Sequence, residues 1–257
     1  MGLIGYGFIG KQVLQRLLHD EALEPAFVFN RSAAALADVP PGLALAALAQ
    51  APSRQADLIV EMAHPATTRQ WGVQLLQHAD YLPLSVTALA DDALREALLA
   101  TARACGTRLF VPHGALMGMD SLLERREHWQ QVRITFVKNP AHIDFSESGL
   151  DAASITGETV VYDGPVRGIA ARYPRNVNTM VTCALASTGL DACQARLIAL
   201  PGYDRGRILI EATGRDGSRL VLRKEQPMAG VSGTEMVDSQ WASIRRAAGA
   251  LDNPGFV

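Results

Sequence analysis

The chain has 257 residues, 48% hydrophobic and 19% charged, which is the composition of an ordinary globular protein able to bury one large core or two smaller ones. Lys+Arg 24 against Asp+Glu 26 leaves a formal net charge of -2 and a pI of 6.3, which speaks against a nucleic-acid binder held by clustered cations. No apolar run reaches the roughly 18 residues of a membrane span. Cys105, Cys183 and Cys193 are odd in number and lack CxxC spacing, so no disulfide framework and no metal site is expected. Met1 leads into Gly2-Leu3-Ile4 without a basic stretch or a cleavage site, and a cytoplasmic location is the expectation.

Up to about residue 111, short apolar runs alternate with helical patterns, the sequence form of β-α-β units. Leu3-Ile4 reads as a strand, 9–19 as a helix, Ala26 to Phe29 as a second strand and Asp57 to Glu61 as a third. Helices are expected at 66–78 and 89–105, separated by a strand over Tyr81 to Val86, and Arg108 to Val111 closes the series as a strand before Pro112. Strands apolar on both faces imply a parallel sheet covered by helices. Beyond residue 112 the strand candidates at 131–138, 158–162, 193–200, 206–213 and 218–224 carry polar alternation, which predicts a mixed or antiparallel sheet. Gly214-Arg215-Asp216-Gly217 reads as a hairpin turn, and helices are expected at 164–172, 175–187 and 236–249. The fold class is therefore α/β: a Rossmann-type doubly wound parallel sheet with a second α+β domain on a mixed sheet. The expected domains are 1–112, 113–235, and a C-terminal helix over 236–257 returning to the first domain.

Gly5-Tyr6-Gly7-Phe8-Ile9-Gly10 sits between the first strand and the first helix, the context that a G-x-G-x-x-G phosphate loop requires. Gly5 permits the tight turn, Gly7 lets backbone approach a pyrophosphate, and Gly10 lets helix pack on strand, while the helix N-terminus offers N-H donors. About 20 residues further on, NAD enzymes place an acidic residue against the ribose hydroxyls. Here stand Asn30-Arg31-Ser32, and a missing carboxylate beside an arginine favours the 2′-phosphate of NADP, with NAD still possible. The simpler alternative has Asn30 capping the next helix and Arg31 solvated.

Five blocks in order, Glu61-Met62-Ala63-His64-Pro65, Leu84 to Asp91, Val111 to Leu116, Ile134 to Lys138 and Tyr173 to Asn178, resemble those of the L-aspartate dehydrogenase family over nearly the whole chain. The resemblance implies a Rossmann domain followed by a substrate domain, interconversion of L-aspartate and iminoaspartate with NAD or NADP, and a homodimer. It also implies cofactor contacts near the nicotinamide at Ala115 and Asn178, and Ala63 and His64, on a loop expected to face the cofactor, are further contact candidates. The family's catalytic histidine lies thirty positions beyond the asparagine matched by Asn178, and counting forward gives Ile208, which cannot transfer a proton. The family's Asn-Pro-Lys-Thr-Ser block is replaced by Met228 to Gly233, and small polar positions become His64 and His113.

Both histidines follow strand ends of the parallel sheet, the edge where open α/β proteins bind ligands, and a neutral imidazole can serve there as acid or base. Lys138 ends the first strand of the second domain and is a third catalytic candidate, able to bind a carboxylate or polarise a carbonyl. Each of the three can instead be a loop or strand-end residue without chemistry. Glu61 reads as a structural carboxylate, Asp120 as a residue that caps or orients a helix, and Arg205 and Arg207 as further cations for an anionic substrate. The sequence thus predicts a nicotinamide-dependent oxidoreductase acting on a small amino or imino acid. Reduction of a different imine or ketone, and nucleotide binding without turnover, stay open.

Overall fold

The computed structural model describes residues 1–229 and 232–250, and the part of the expected C-terminal segment beyond Ala250 lies outside the described residues. It divides into two compact units, Met1–Pro112 with the described residues from Val237 onward, and His113–Met236.

In the first unit, β1 (Gly2–Ile4), β2 (Phe27–Phe29), β3 (Leu58–Glu61) and β4 (Asp80–Pro83) form a parallel sheet in the order β2-β1-β3-β4. Leu3 lies in register with Val28 and Val60 on one face, Phe27 and Ile59 flank Gly2 on the other, and all of these side chains are buried, so the sheet is covered on both faces. The covering helices are α1 (Phe8–Leu17), α2 (Pro65–Leu76) and α3 (Asp92–Cys105). α3 starts later than the periodicity predicts because Asp91 caps it, accepting from Leu94 N at 3.1 Å, while 86–90 forms a 3-10 turn. The strand expected at 108–111 shrinks to one bridge, Tyr81 to Leu109. Asp80 takes the Arg108 backbone N-H and guanidinium at its start, and Pro112, without an N-H, ends the pairing. The last described helix (Met236–Ala247) places Ile244 and Ala247 in the same core as Val13, Leu14 and Leu17. Arg245 pairs with the nearly buried Asp20 at its end.

In the second unit, a short helix, α4 (Met119–Glu124), precedes β5 (Trp129–Lys138), β6 (Thr159–Pro165), α5 (Val166–Arg172) and α6 (Asn178–Leu185). β7 (Gln194–Ala199), β8 (Arg205–Gly214), β9 (Arg219–Ala229) and β10 (Ser232–Gly233) follow, and the helix over Met236–Ala247 is α7. The sheet order is β10-β9-β8-β5-β7-β6, parallel only between β5 and β7. Along β8 the side chains alternate, Ile208, Ile210 and Ala212 buried and Leu209, Glu211 and Thr213 more open, which defines one core face. β8 and β9 meet at the Gly214–Gly217 turn, where Gly217 takes a φ of 81°. Asp216 there accepts from Ser218 and pairs with Arg125, which holds its carboxyl well below the usual range. Asp120 is not the cap of α4. Gly118, at φ 60°, occupies that position, and Asp120 lies in the first turn.

Candidate active site

The glycine loop of the first unit is built by three different constraints. Gly5 has φ 102°, and a side chain on it would stand 2.8 Å from the Met62 backbone. A Cβ on Gly10 would sit 2.2 Å from the Gly5 carbonyl oxygen, so α1 can close onto β1 only without one. Gly7, in contrast, is exposed, and a Cβ there would meet nothing within 4 Å. The first two glycines are required by the fold, while the third keeps open the space in front of the α1 N-terminus. Asn30 does not cap a helix: its Oδ1 accepts from Tyr6 N at 3.3 Å and its Nδ2 donates to Ser32 O, tying the end of β2 to the loop. Arg31 and Ser32 are exposed beside it, and Phe8, at the first position of α1, is 65% exposed despite its size.

The loop after β3 hangs on one carboxylate. Glu61 is fully buried and accepts from Ala63 N at 2.7 Å, His64 N at 2.8 Å and Ser85 Oγ at 3.0 Å, with Thr68 Oγ1 and Ser85 N somewhat further away. Burial pushes its pKa up, and the N-H donors of Ala63 and His64 pull against that rise. Ala63 and His64 are exposed on top of this hub. His64 caps α2, its Nδ1 accepting from Ala66 N at 3.1 Å, an arrangement that places the ring proton on Nε2. Glu61→Leu orphans several buried donors and is expected to cost about 3 kcal/mol or more, measured by urea unfolding.

In the second unit a pocket of about 60 Å³ opens on the core face of the sheet. Phe136 and Lys138 reach it from β5, Ile208 from β8 and Gln226 from β9, with Ala115 and Asn178 from the adjoining loop and helix. The register explains the grouping: Phe136 pairs with Ile208, Ile208 with Lys224 and Gly206 with Gln226, and cross-strand partners share a face. Lys138 is 8% exposed, its Nζ lies 5.3 Å from the centre of the Phe136 ring, and desolvation lowers its pKa to about 8. The Ala115 peptide is held from both sides, its N-H donating to Thr179 Oγ1 at 3.3 Å and its carbonyl accepting from Lys224 Nζ at 3.0 Å. Lys224 also pairs with Glu235. Arg175, at the pocket, pairs with Asp144 at 3.0 Å, and Asn176 spends its amide on Asp144 N and His142 O.

The structure therefore brings Lys138, Ala115, Asn178 and Ile208 to one pocket. His113 is half-buried at the start of the same unit, its carbonyl accepting from Leu116 N, and it is not among the pocket's lining residues. Arg207 lines the pocket and pairs with Glu225 at 2.8 Å, whereas Arg205 is exposed at the start of β8. Gly230 and Val231, from the segment that replaces the family's Asn-Pro-Lys-Thr-Ser block, lie outside the described residues. Among the described residues no cluster of three His, Cys, Asp or Glu side chains is arranged to hold a metal ion, and no helix is long and apolar enough to cross a membrane.

Comparison with known proteins identifies the family and the fold. Residues 5–112 match the homoserine dehydrogenase NAD binding domain family, and 121–237 match the aspartate dehydrogenase C-terminal family. An aspartate dehydrogenase domain-containing protein of Xenopus tropicalis is 35% identical over 270 residues, covering 97% of this chain and 94% of the relative. The chain belongs to the aspartate dehydrogenase family. An L-aspartate dehydrogenase of Thermotoga maritima is 27% identical over 84% of this chain and 83% of its own length. The crystal structure of aspartate dehydrogenase from Thermotoga maritima superposes with a TM-score of 0.76 at 25% identity, covering 100% of this chain and 97% of that one.

The aspartate dehydrogenase family is one of NAD(P)-binding oxidoreductases, and this chain has its Rossmann domain and second α/β domain. Gln226, which lines the pocket, and Lys224, which holds the Ala115 carbonyl at its edge, escaped the sequence reading. Lys224 sits mid-strand, and its partner Ala115 is 109 positions away, so no local signal marks it. Gln226 is equally inconspicuous in an alternating strand, although the alternation itself assigns it to the core face, where a polar side chain is unusual.

Proposed function

We propose that this protein is an NADP-preferring oxidoreductase that moves hydride between the nicotinamide and a small amino or imino acid bearing a carboxylate, L-aspartate being the first candidate. The observation that carries this reading is the pocket that gathers Lys138 with Ala115, Asn178 and Ile208, all positions that the family resemblance marks. The chain fits a dinucleotide: the open space at Gly7, the bare N-terminus of α1 and the absence of a carboxylate after β2 suit a pyrophosphate and a 2′-phosphate. When bound, the cofactor supplies the hydride chemistry. Gly5, Gly7, Phe8, Ile9 and Gly10 form the phosphate loop, Asn30 fixes that loop, and Arg31 and Ser32 receive the 2′-phosphate. Ala63 and His64 contact the cofactor after β3, and Ala115 and Asn178 are the nicotinamide-side contacts.

Lys138 is the leading acid-base group, because its lowered pKa lets it hold or release a proton near pH 8. His113 and His64 are the other two candidates, to be tested beside it. The protein is proposed to work in the cytoplasm as a homodimer. Ile208 in the pocket supports a second reading, in which the same scaffold reduces a different imine or ketone. Fluorescence titration with NADPH and NADH is the test. NADPH is expected to bind more tightly, Arg31→Asp to lower NADPH affinity about tenfold or more while sparing NADH, and L-aspartate to support turnover. Equal affinity for both nucleotides in wild type and variant contradicts the NADP assignment.

A further inference from the structure

Gln226 projects from β9 onto the core face of the second unit, in register with Gly206 and beside the row that carries Ile208 and Lys138. It is 8% exposed, and its Oε1 is buried with no hydrogen-bond partner among the described residues. A buried carboxamide oxygen left unpaired costs stability, so its persistence calls for a donor that arrives with a ligand. The amide lies against bare backbone: a Cβ on Gly233 would stand 2.2 Å from the Gln226 carboxamide, so the glycine leaves the space that the amide occupies.

The chemistry of the pocket decides which donor that is. Lys138 and Arg175 supply cations for carboxylates, but among the described residues lining the pocket none is acidic. An amino nitrogen entering it must therefore be met by a neutral acceptor. Asn176 already uses both ends of its amide, and Thr179 Oγ1 accepts from Ala115 N. Among the described residues lining the pocket, Gln226 Oε1 is the buried side-chain acceptor without a partner.

We infer that Gln226 is a specificity-determining residue whose Oε1 accepts a hydrogen bond from the amino or imino nitrogen of the substrate, so that the pocket distinguishes a nitrogen-bearing acid from the same acid without it. This rests on the reading of the pocket as an amino-acid site. Bond donation by an ammonium to a buried oxygen is a charge-assisted interaction, equivalent to about ten- to hundredfold in affinity.

The test compares L-aspartate with succinate, which has both carboxylates and no nitrogen, by calorimetric titration of NADPH-saturated protein. Wild type is expected to bind L-aspartate about tenfold or more tighter than succinate. Gln226→Met is expected to bind both equally, with succinate affinity unchanged and with the ligand-free variant as stable as wild type or more so, because an unpaired buried polar group has been removed. Gln226→Leu repeats the comparison with a branched side chain. A variant that keeps the preference for L-aspartate, or wild type binding both acids alike, overturns the role of Gln226 alone. If wild type binds neither acid, the amino-acid reading of the pocket falls and this inference falls with it. Loss of folding in both variants would make the amide a requirement of the fold and also overturn it.

Discussion

Lys138→Met is expected to lower turnover by about two to four orders of magnitude while leaving NADPH affinity within about twofold. The methionine keeps the length and apolar stem of the lysine against Phe136 and removes only the ammonium. In wild type the pH-rate profile should carry an apparent pKa near 8, the value to which burial lowers Lys138, and that inflection should vanish in the variant. Stability gives an independent readout. Below pH 8 both folded and unfolded chains hold the proton, and the fold bears the full cost of burying the charge. Between pH 8 and 10.5 the folded protein has released a proton that the unfolded chain keeps, so stability rises with pH by up to about 3 kcal/mol. Lys138→Met lacks this dependence and should be the more stable protein at pH 7, with the difference gone above pH 10.5, followed by urea unfolding across the range. Undiminished turnover in Lys138→Met, with a loss in His113→Ala instead, would move the proton to the histidine.

The second large effect separates two glycines three positions apart. Gly10→Ala forces a methyl against the Gly5 carbonyl at 2.2 Å, and helix α1 must shift away from β1. A destabilisation of about 3 kcal/mol is expected, with nucleotide binding lost as a consequence. Gly7→Ala meets no neighbour and has φ -87°, so its melting temperature should match wild type. Its methyl, however, occupies the space through which a pyrophosphate reaches the backbone, and NADPH affinity should fall about a hundredfold. Thermal melts and fluorescence titration of the two variants measure both halves. Wild-type affinity in a stable Gly7→Ala would mean that the open space serves no phosphate.

The fold was legible because it is written in local patterns. Runs apolar on both faces, such as Leu58 to Val60, announce a buried parallel sheet, and the alternation of β8 announces a sheet with one core face. Boundaries failed where side chains overrule periodicity, as with Asp91 capping α3 and Asp80 with Pro112 confining the last strand of the first unit to one bridge. The candidate site was legible only in part. Lys138 stood out as a charge at a strand end, and Ile208 as a departure from the family pattern. What the sequence does not carry is the state of each group. Desolvation of Lys138, the donors converging on Glu61, the two-sided hold on Ala115 and the unpaired oxygen of Gln226 all arise from residues distant in the chain.

Steady-state oxidation of NADPH with oxaloacetate, in the presence and absence of ammonium, tests most directly whether this chain is a nicotinamide-dependent enzyme working at a carbon-nitrogen bond. The account predicts oxidation that requires ammonium, follows saturation in both oxaloacetate and ammonium, and yields L-aspartate. Tight NADPH binding with no ammonium-dependent oxidation would contradict it.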